Sequence, residues 1–93
     1  MEIINESDLH SFCKRHSNAR SPVANWIDIT KAAVWKTFAD VRETFRTADY
    51  IKDFVIFDVG GNNFRLITSI SYPQQRVYVL QMMTHAEYDR WKP

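Results

Sequence analysis

Residues 57–91, FDVGGNNFRLITSISYPQQRVYVLQMMTHAEYDRW, constrain the fold of this chain more than any other stretch. Runs rich in β-branched and aromatic residues are interrupted by Gly60-Gly61-Asn62 and by Pro73-Gln74-Gln75, the punctuation of a β-meander. The two glycines supply the positive φ angles that a tight hairpin demands. Thr84-x-x-Glu87 follows immediately, with the spacing of a helix capping box. The pattern predicts strands at 54–59, 63–72 and 76–83, then a terminal helix of about two turns.

The first half of the chain reads as helical. Residues 2–4 suit a short edge strand. Ser7 fits the N-cap of a helix carrying Leu9, Phe12 and Cys13 at i, i+3, i+4 spacing. Ser21-Pro22 is a second start signal, with Pro22 at the first helical position. From there Val23, Trp26, Ile27, Thr30, Ala33 and Val34 keep the helical period to about Lys36. Asp40-x-x-Glu43 resembles a further capping box, opening a short helix or turn that stops near Thr47. The expectation is an α+β fold, with the N-terminal helices packed on one face of an antiparallel meander and a short C-terminal helix. A chain of 93 residues without repeats or linkers is expected to form one domain over 1–93.

Composition excludes several classes. No run approaches the ~20 apolar residues of a membrane span, and the N-terminus lacks the pattern of a secretory signal. A cytoplasmic protein with no membrane partner is expected. Cys13 is the only cysteine, so neither an internal disulfide nor a cysteine zinc cage is available. His10 and His16, six apart, are not a metal pair, and no metal or cofactor is expected. The formal net charge of +1 does not announce a nucleic-acid binder. Residues 14–46 are locally basic, with seven Lys/Arg against three acids.

The meander places candidate chemistry. If Tyr72 faces Arg76 or Val77 across the last hairpin, Arg65 faces Met83 or Thr84 and can reach the surroundings of His85. A one-residue slip would turn Arg65 to the other face. His85 falls at the first position of the terminal helix, where the positive end of the helix favours the neutral imidazole. Tyr88 lies three residues on, along the same helical face. RNA cleavage without a metal needs a base for the 2′-hydroxyl, a cation for the crowded phosphorane and an acid for the leaving 5′-oxygen. A guanidinium fork fits the phosphate, while an imidazole or a phenol moves protons. Each residue also has an ordinary structural role open to it. Arg65 reads equally as an exposed cross-strand partner, His85 as a solvated or capping residue, and Tyr88 as core. Cys13 reads as a small buried hydrophobe, and Trp26, Trp35 and Phe38 as core or partner surface.

Longer motifs narrow the field. Ala33-Val34-Trp35-Lys36, Phe38-Ala39-Asp40-Val41, Ala48-Asp49 and Val55-Ile56-Phe57-Asp58-Val59 lead into Gly61-Asn62-Asn63-Phe64-Arg65-Leu66-Ile67 and then Thr84-His85-Ala86-Glu87-Tyr88-Asp89. In these segments, and over nearly all of its length after about Ala24, the chain resembles the HigB family of type II toxins, which share the RelE-like fold. The resemblance implies an endoribonuclease that cleaves mRNA, in many members on the translating ribosome. It also implies a HigA-like antitoxin with a helix-turn-helix fold, and contact with operator DNA only through the toxin–antitoxin complex. Carried over, Arg65 would hold the scissile phosphate, with His85 and Tyr88 in the site and Lys36, Lys52 and Asn62 contacting RNA. Where relatives carry Lys after the Gly-Asn pair, this chain has Asn63, which lowers the phosphate neutralisation available to it. Two alternatives remain at this point. One is a non-catalytic toxin on the same scaffold that inhibits a protein target such as gyrase, as ParE-like toxins do. The other is a degenerate member kept for antitoxin binding.

Overall fold

A computed structural model describes residues 1–91. In chain order it contains β1 (Glu2–Ile4), α1 (Glu6–Arg15), α2 (Arg20–Ala32), α3 (Phe38–Thr44), β2 (Asp49–Ile51), β3 (Phe54–Val59), β4 (Phe64–Ser71), β5 (Arg76–Thr84) and α4 (His85–Asp89). The strands form one sheet in the order β1-β5-β4-β3-β2, antiparallel throughout except that β1 runs parallel to β5. The α+β architecture and the N-terminal edge strand are as expected. The sheet is wider by one strand, β2.

Local chemistry sets the helix boundaries. Asn5, not Ser7, is the N-cap of α1, in the left-handed region at φ 68°. Asn tolerates that conformation better than Ser does, and it lets the chain leave β1 and turn directly into the helix. Pro22 occupies the third position of α2, preceded by a 3-10 turn at Ser17–Ala19. It is still within the first turn, where its missing N–H costs nothing. The helix stops at Ala32, four residues before the expected end, because Ala33 turns extended at φ −81°, ψ 150°. Val34 is thereby sent to solvent at 72 % exposure while Trp35 turns inward. The Trp35 ring packs against Phe45 and Phe57, and its Nε1 donates to Thr44 Oγ1 at 3.1 Å. Burying an indole contributes on the order of 4 kcal/mol, more than one further helical turn and a buried Val would give. The cap of α3 also differs from expectation. Thr37 holds the N-cap position, and Asp40 sits inside the helix, accepting the backbone N–H groups of Lys36 (2.8 Å) and Thr37 (3.3 Å).

The main core lies between the helices and one face of the sheet, where Leu9, Phe12, Val23, Trp26 and Trp35 meet Val55, Phe57, Leu66 and Val79. A smaller apolar cluster of Ile56, Ile67 and Met83 lies apart from it, covered by Ile51, Phe54, Tyr88 and Trp91. Strand alternation puts it on the opposite sheet face. The β3–β4 register sets Asp58 against Arg65, and β4–β5 sets Arg65 against Met83. Asp58 and Arg65 therefore share the second face with Ile56 and Ile67.

A β-bulge fixes the last pairing. At the turn Ser71 faces Arg76, one residue off the expected partners of Tyr72. Continued regularly, that ladder would set Arg65 against Met82. Between Thr68↔Val79 and Ile67↔Gln81 the strand β5 absorbs one extra residue, Leu80, which is 46 % exposed. The shift brings Met83 opposite Arg65 and sends Met82 to the helix side.

Candidate active site

Three short devices converge at the end of the sheet where β3 turns into β4. The first is the hairpin loop. Gly60 and Gly61 adopt φ 68° and 64°, and Asn63 N donates to Gly60 O at 3.2 Å, closing the turn. A side chain at Gly60 would meet Phe64 and Pro22 as well as the unfavourable φ, so glycine is required there. The second device is the pairing of Phe64 with Thr84, which delivers the end of β5 to the start of β4. The third is the capping box of α4. Glu87 N donates to Thr84 Oγ1 (3.2 Å), and Thr84 N donates to Glu87 Oε1 (2.8 Å). The bond from the Thr84 backbone N–H, helped by the Thr84 side chain, holds the Glu87 carboxyl below its ordinary range. α4 is only five residues long, shorter than expected, and the cap carries much of its order.

Arg65 is the centre of the arrangement. It is 8 % exposed, so of the two roles the sequence leaves open for it the exposed cross-strand partner does not apply. Its Nε lies 3.1 Å from Asp58 Oδ1, Nη1 donates to Phe64 O (3.1 Å), and Nη2 donates to Asn62 Oδ1 (2.6 Å). The guanidinium carbon sits over the Tyr88 ring, 5.5 Å from its centroid. A guanidinium has five N–H groups, so these three bonds leave two for a ligand. The fork is thus fixed in orientation from three sides and from one face.

Tyr88 lies half-buried beneath it. Burial is the main cause that pushes its phenol above the ordinary tyrosine range, Asp49 adds to this, and the Arg65 charge opposes it. The phenol therefore holds its proton at neutral pH. His85 occupies the first position of α4, as expected, and its backbone N–H donates to Asn63 O at 2.9 Å. Its Nε2 is 3.6 Å from Asp89 Oδ2, while Nδ1 is buried without a hydrogen-bond partner among the described residues. A cation fixed in orientation and a protonated phenol thus lie at one end of the second sheet face, and His85 opens the short helix that carries the phenol.

The other candidates are placed differently. Asn62 contacts the Arg65 guanidinium directly. Lys52 occupies the β2–β3 turn, with φ 48°. Lys36 follows Trp35, whose carbonyl accepts from Gln75 of the β4–β5 turn at 2.6 Å. Both turns lie at the sheet end away from His85, so the two lysines do not join the Arg65 cluster. Asp58 and Trp91 were not singled out from the sequence. Asp58 could have been found, because a four-residue loop between Val59 and Phe64 pairs it with Arg65. Trp91 stands three residues after Tyr88, a spacing that puts both rings on one side.

Among the described residues no three His, Cys, Asp or Glu side chains gather as a metal site would require, and no helix is long and apolar enough to cross a membrane.

The chain is similar to the mRNA interferase HigB of Escherichia coli O6:H1 strain CFT073, with 28 % identity over 93 aligned positions that cover 97 % of this chain and 90 % of the relative. It is also similar to the mRNA interferase toxin HigB of E. coli K12 and to mRNA interferase HigB of Shigella flexneri, each 23 % identical over 92 positions covering 96 % of this chain and 88 % of the relative. The sequence model of the HigB toxin family, described as the RelE-like toxic component of a toxin-antitoxin system, matches residues 19–91. With most of its length inside that match, the chain belongs to the HigB toxin family.

Proposed function

We propose that this protein is a toxin that cleaves mRNA by metal-independent phosphodiester transfer, acting on messages engaged by the ribosome. The observation that carries the reading is the buried, three-point-anchored guanidinium of Arg65 with two N–H groups left over, stacked on the Tyr88 phenol, with His85 three residues before that tyrosine on α4. The two remaining N–H groups hold the non-bridging oxygens of the scissile phosphate and stabilise the added charge of the phosphorane. The His85 imidazole takes the proton of the 2′-hydroxyl, and the 2′-oxygen attacks phosphorus. The Tyr88 phenol gives its proton to the departing 5′-oxygen. The products are a 2′,3′-cyclic phosphate and a 5′-hydroxyl, with no group left over that a metal must supply.

Asn62, whose oxygen is taken up by Arg65, has its amide N–H₂ group to offer an RNA base or ribose. Lys36 and Lys52 contact RNA backbone away from the scissile bond, a role that suits exposed cations on flexible stems. The partner that silences the toxin is a HigA-like helix-turn-helix antitoxin, through which the pair reaches operator DNA. The site of action is the cytoplasm.

Mapping 5′ ends on an mRNA translated in a purified system tests the reading. Discrete new ends with wild-type protein, lost with Tyr88→Phe and with His85→Gln, are expected. Growth inhibition without any cleavage would replace the reading by a non-nucleolytic toxin. Cleavage of ribosome-free RNA, where it can be driven at high protein concentration, is expected to persist in EDTA.

A further inference from the structure

The Tyr88 ring contacts two other planar groups, the Arg65 guanidinium and the Trp91 indole. The Tyr88 ring lies beneath the guanidinium at 5.5 Å, and the Trp91 ring stacks on Tyr88 at 5.8 Å with an interplanar angle of 22°. The Trp91 N–H donates to Tyr88 O at 2.9 Å, so the turn that ends α4 sets the indole in place. Phe54 supports it, with ring centroids 5.7 Å apart at 65°. Of the three tryptophans, Trp26 and Trp35 are each 2 % exposed, whereas Trp91 is half-buried and lies at the margin of the second sheet face.

We propose that Trp91 is the platform on which a nucleobase beside the scissile phosphate stacks. This rests on the reading of Arg65, Tyr88 and His85 as the cleavage site. An indole part-way out of the apolar cluster, held parallel to a ring that itself carries the phosphate-binding cation, offers π-surface one or two nucleotides along the strand. Single-stranded RNA is held in this way by aromatic side chains interleaved with cations. Asn63 and the low net charge leave this chain few phosphate contacts, so base stacking supplies binding that electrostatics does not. Stacking reads area rather than hydrogen-bond pattern. Purines are therefore favoured over pyrimidines at that position, with no strict sequence requirement.

The test uses the full chain and single-stranded RNA bearing 2′-O-methyl groups, which binds but cannot be cleaved. Because Trp91 is the accessible indole, purine RNA is expected to quench the protein's intrinsic fluorescence saturably. An abasic strand of the same length is expected to quench far less, and Trp91→Leu is expected to lose the effect. On cleavable substrate, Trp91→Leu raises KM roughly tenfold, the scale of one lost base–aromatic stack, with kcat changed much less. Trp91→Phe restores most of the affinity. Leucine keeps the apolar cover over Phe54, and a near-wild-type melting curve for Trp91→Leu separates stacking from folding. Failure of binding, binding without quenching, or an unchanged KM in a folded Trp91→Leu protein would overturn the proposal. If Trp91→Leu leaves KM unchanged while Tyr88→Phe and His85→Gln abolish cleavage, the platform is wrong and the site is right. If those two variants cleave normally while Trp91→Leu raises KM, the cleavage site is wrong and the platform stands.

Discussion

Asp58 and Arg65 face each other across the β3–β4 hairpin, and the 3.1 Å contact between Asp58 Oδ1 and Arg65 Nε holds the guanidinium in the plane from which its other contacts are made. The pair is unequally buried: the Arg65 side chain is 10 % exposed and that of Asp58 is 30 % exposed. That asymmetry decides what each mutation costs. Removing the carboxylate leaves a buried cation short of a partner, whereas removing the guanidinium leaves a carboxylate that water can reach. Asp58→Ala is therefore expected to destabilise the fold by about 3 kcal/mol, the lower end for a broken buried pair. Arg65→Ala is expected to cost about 1–2 kcal/mol, through lost packing on Tyr88 and lost hydrogen bonds. Urea unfolding of both variants checks the order. A larger loss in Arg65→Ala would mean that the charge pair is not what holds this corner.

The same geometry makes Arg65→Lys a sharper probe of cleavage than Arg65→Ala. A lysine keeps the positive charge but cannot hold Asp58, Asn62 and the Phe64 carbonyl while presenting a fork to a phosphate. The expected result is at least a ~100-fold loss of cleavage, as for loss of a preorganised oxyanion donor, with a stability loss of about 1–3 kcal/mol from the contacts that lysine leaves unmade. Quantitative 5′-end mapping beside a thermal melt reads both numbers. Retention of cleavage in Arg65→Lys would show that charge alone suffices.

Tyr88 offers a pH signature. Its folded phenol is raised, first by burial, so the protonated form persists through and beyond the ordinary tyrosine range near ~10. The sign follows: the acid form is present at neutral and mildly alkaline pH and is lost only as pH climbs through the raised value. Cleavage of ribosome-free RNA is expected to keep its rate up to that limit and then fall, after correction for spontaneous hydrolysis. Tyr88→Phe should be slow at every pH and should lack the alkaline fall. An unchanged profile in Tyr88→Phe would remove the phenol from the reaction.

Much of this corner was legible in the residues. Thr84 and Glu87 announced the terminal helix because a capping box is a local device, and both halves of it are present. The pattern gives Arg65 a partner near Met83 but does not give its burial. Alternation along a strand tells which face a side chain takes, not whether that face is covered; here the cover comes from Tyr88 and Trp91, arriving from α4. β2 escaped notice for another reason. Its three residues are too few for a pattern, and the Lys52-Asp53 turn that makes it a hairpin has positive φ angles without a glycine to mark it. The two lysines join the site only by likeness to a family; Lys52 lies in the β2–β3 turn and Lys36 follows Trp35, which is tied to the β4–β5 turn, so neither is near the β3–β4 loop that anchors Arg65.

Glu87 links α4 to acid. Its folded carboxyl is lowered, chiefly by the hydrogen bond from the Thr84 backbone N–H, so its contribution to stability is complete above its unfolded value near ~4.3 and is lost as pH falls through the lowered folded value. Acidification is then expected to fray α4 and release Tyr88 from Arg65 before the rest of the sheet responds. Glu87→Gln keeps an acceptor for the same bond but cannot titrate. Amide-resolved NMR from pH 6 to about 3 should show the α4 signals of the wild type shifting first and those of Glu87→Gln holding. Simultaneous loss of α4 and the sheet in both proteins would mean that the cap is not the acid-sensitive joint.

The extra residue in β5 gives a contrast that contact-based reasoning alone would miss. Deleting Leu80 leaves Val79 joined directly to Gln81, and a regular antiparallel ladder then pairs Thr68 with Val79 and Ile67 with Gln81, the same partners as before. Every later residue, including Met83 opposite Arg65, keeps its face. The deletion is expected to cost under ~1 kcal/mol, since the lost side chain is 46 % exposed. Deleting Tyr78 removes one residue from the same strand with a different effect: Val79, 1 % exposed, would move opposite Ser69 and onto the second face, and the larger Leu80 would take its core place opposite Thr68. That variant should lose about 1–3 kcal/mol through overpacking and the misplaced valine. Parallel expression, melting and cleavage assays of the two deletions decide the matter. If the Leu80 deletion folds but cleaves poorly, the added twist of the bulge is itself needed to aim His85; if both deletions unfold alike, the register assigned to β5 is wrong.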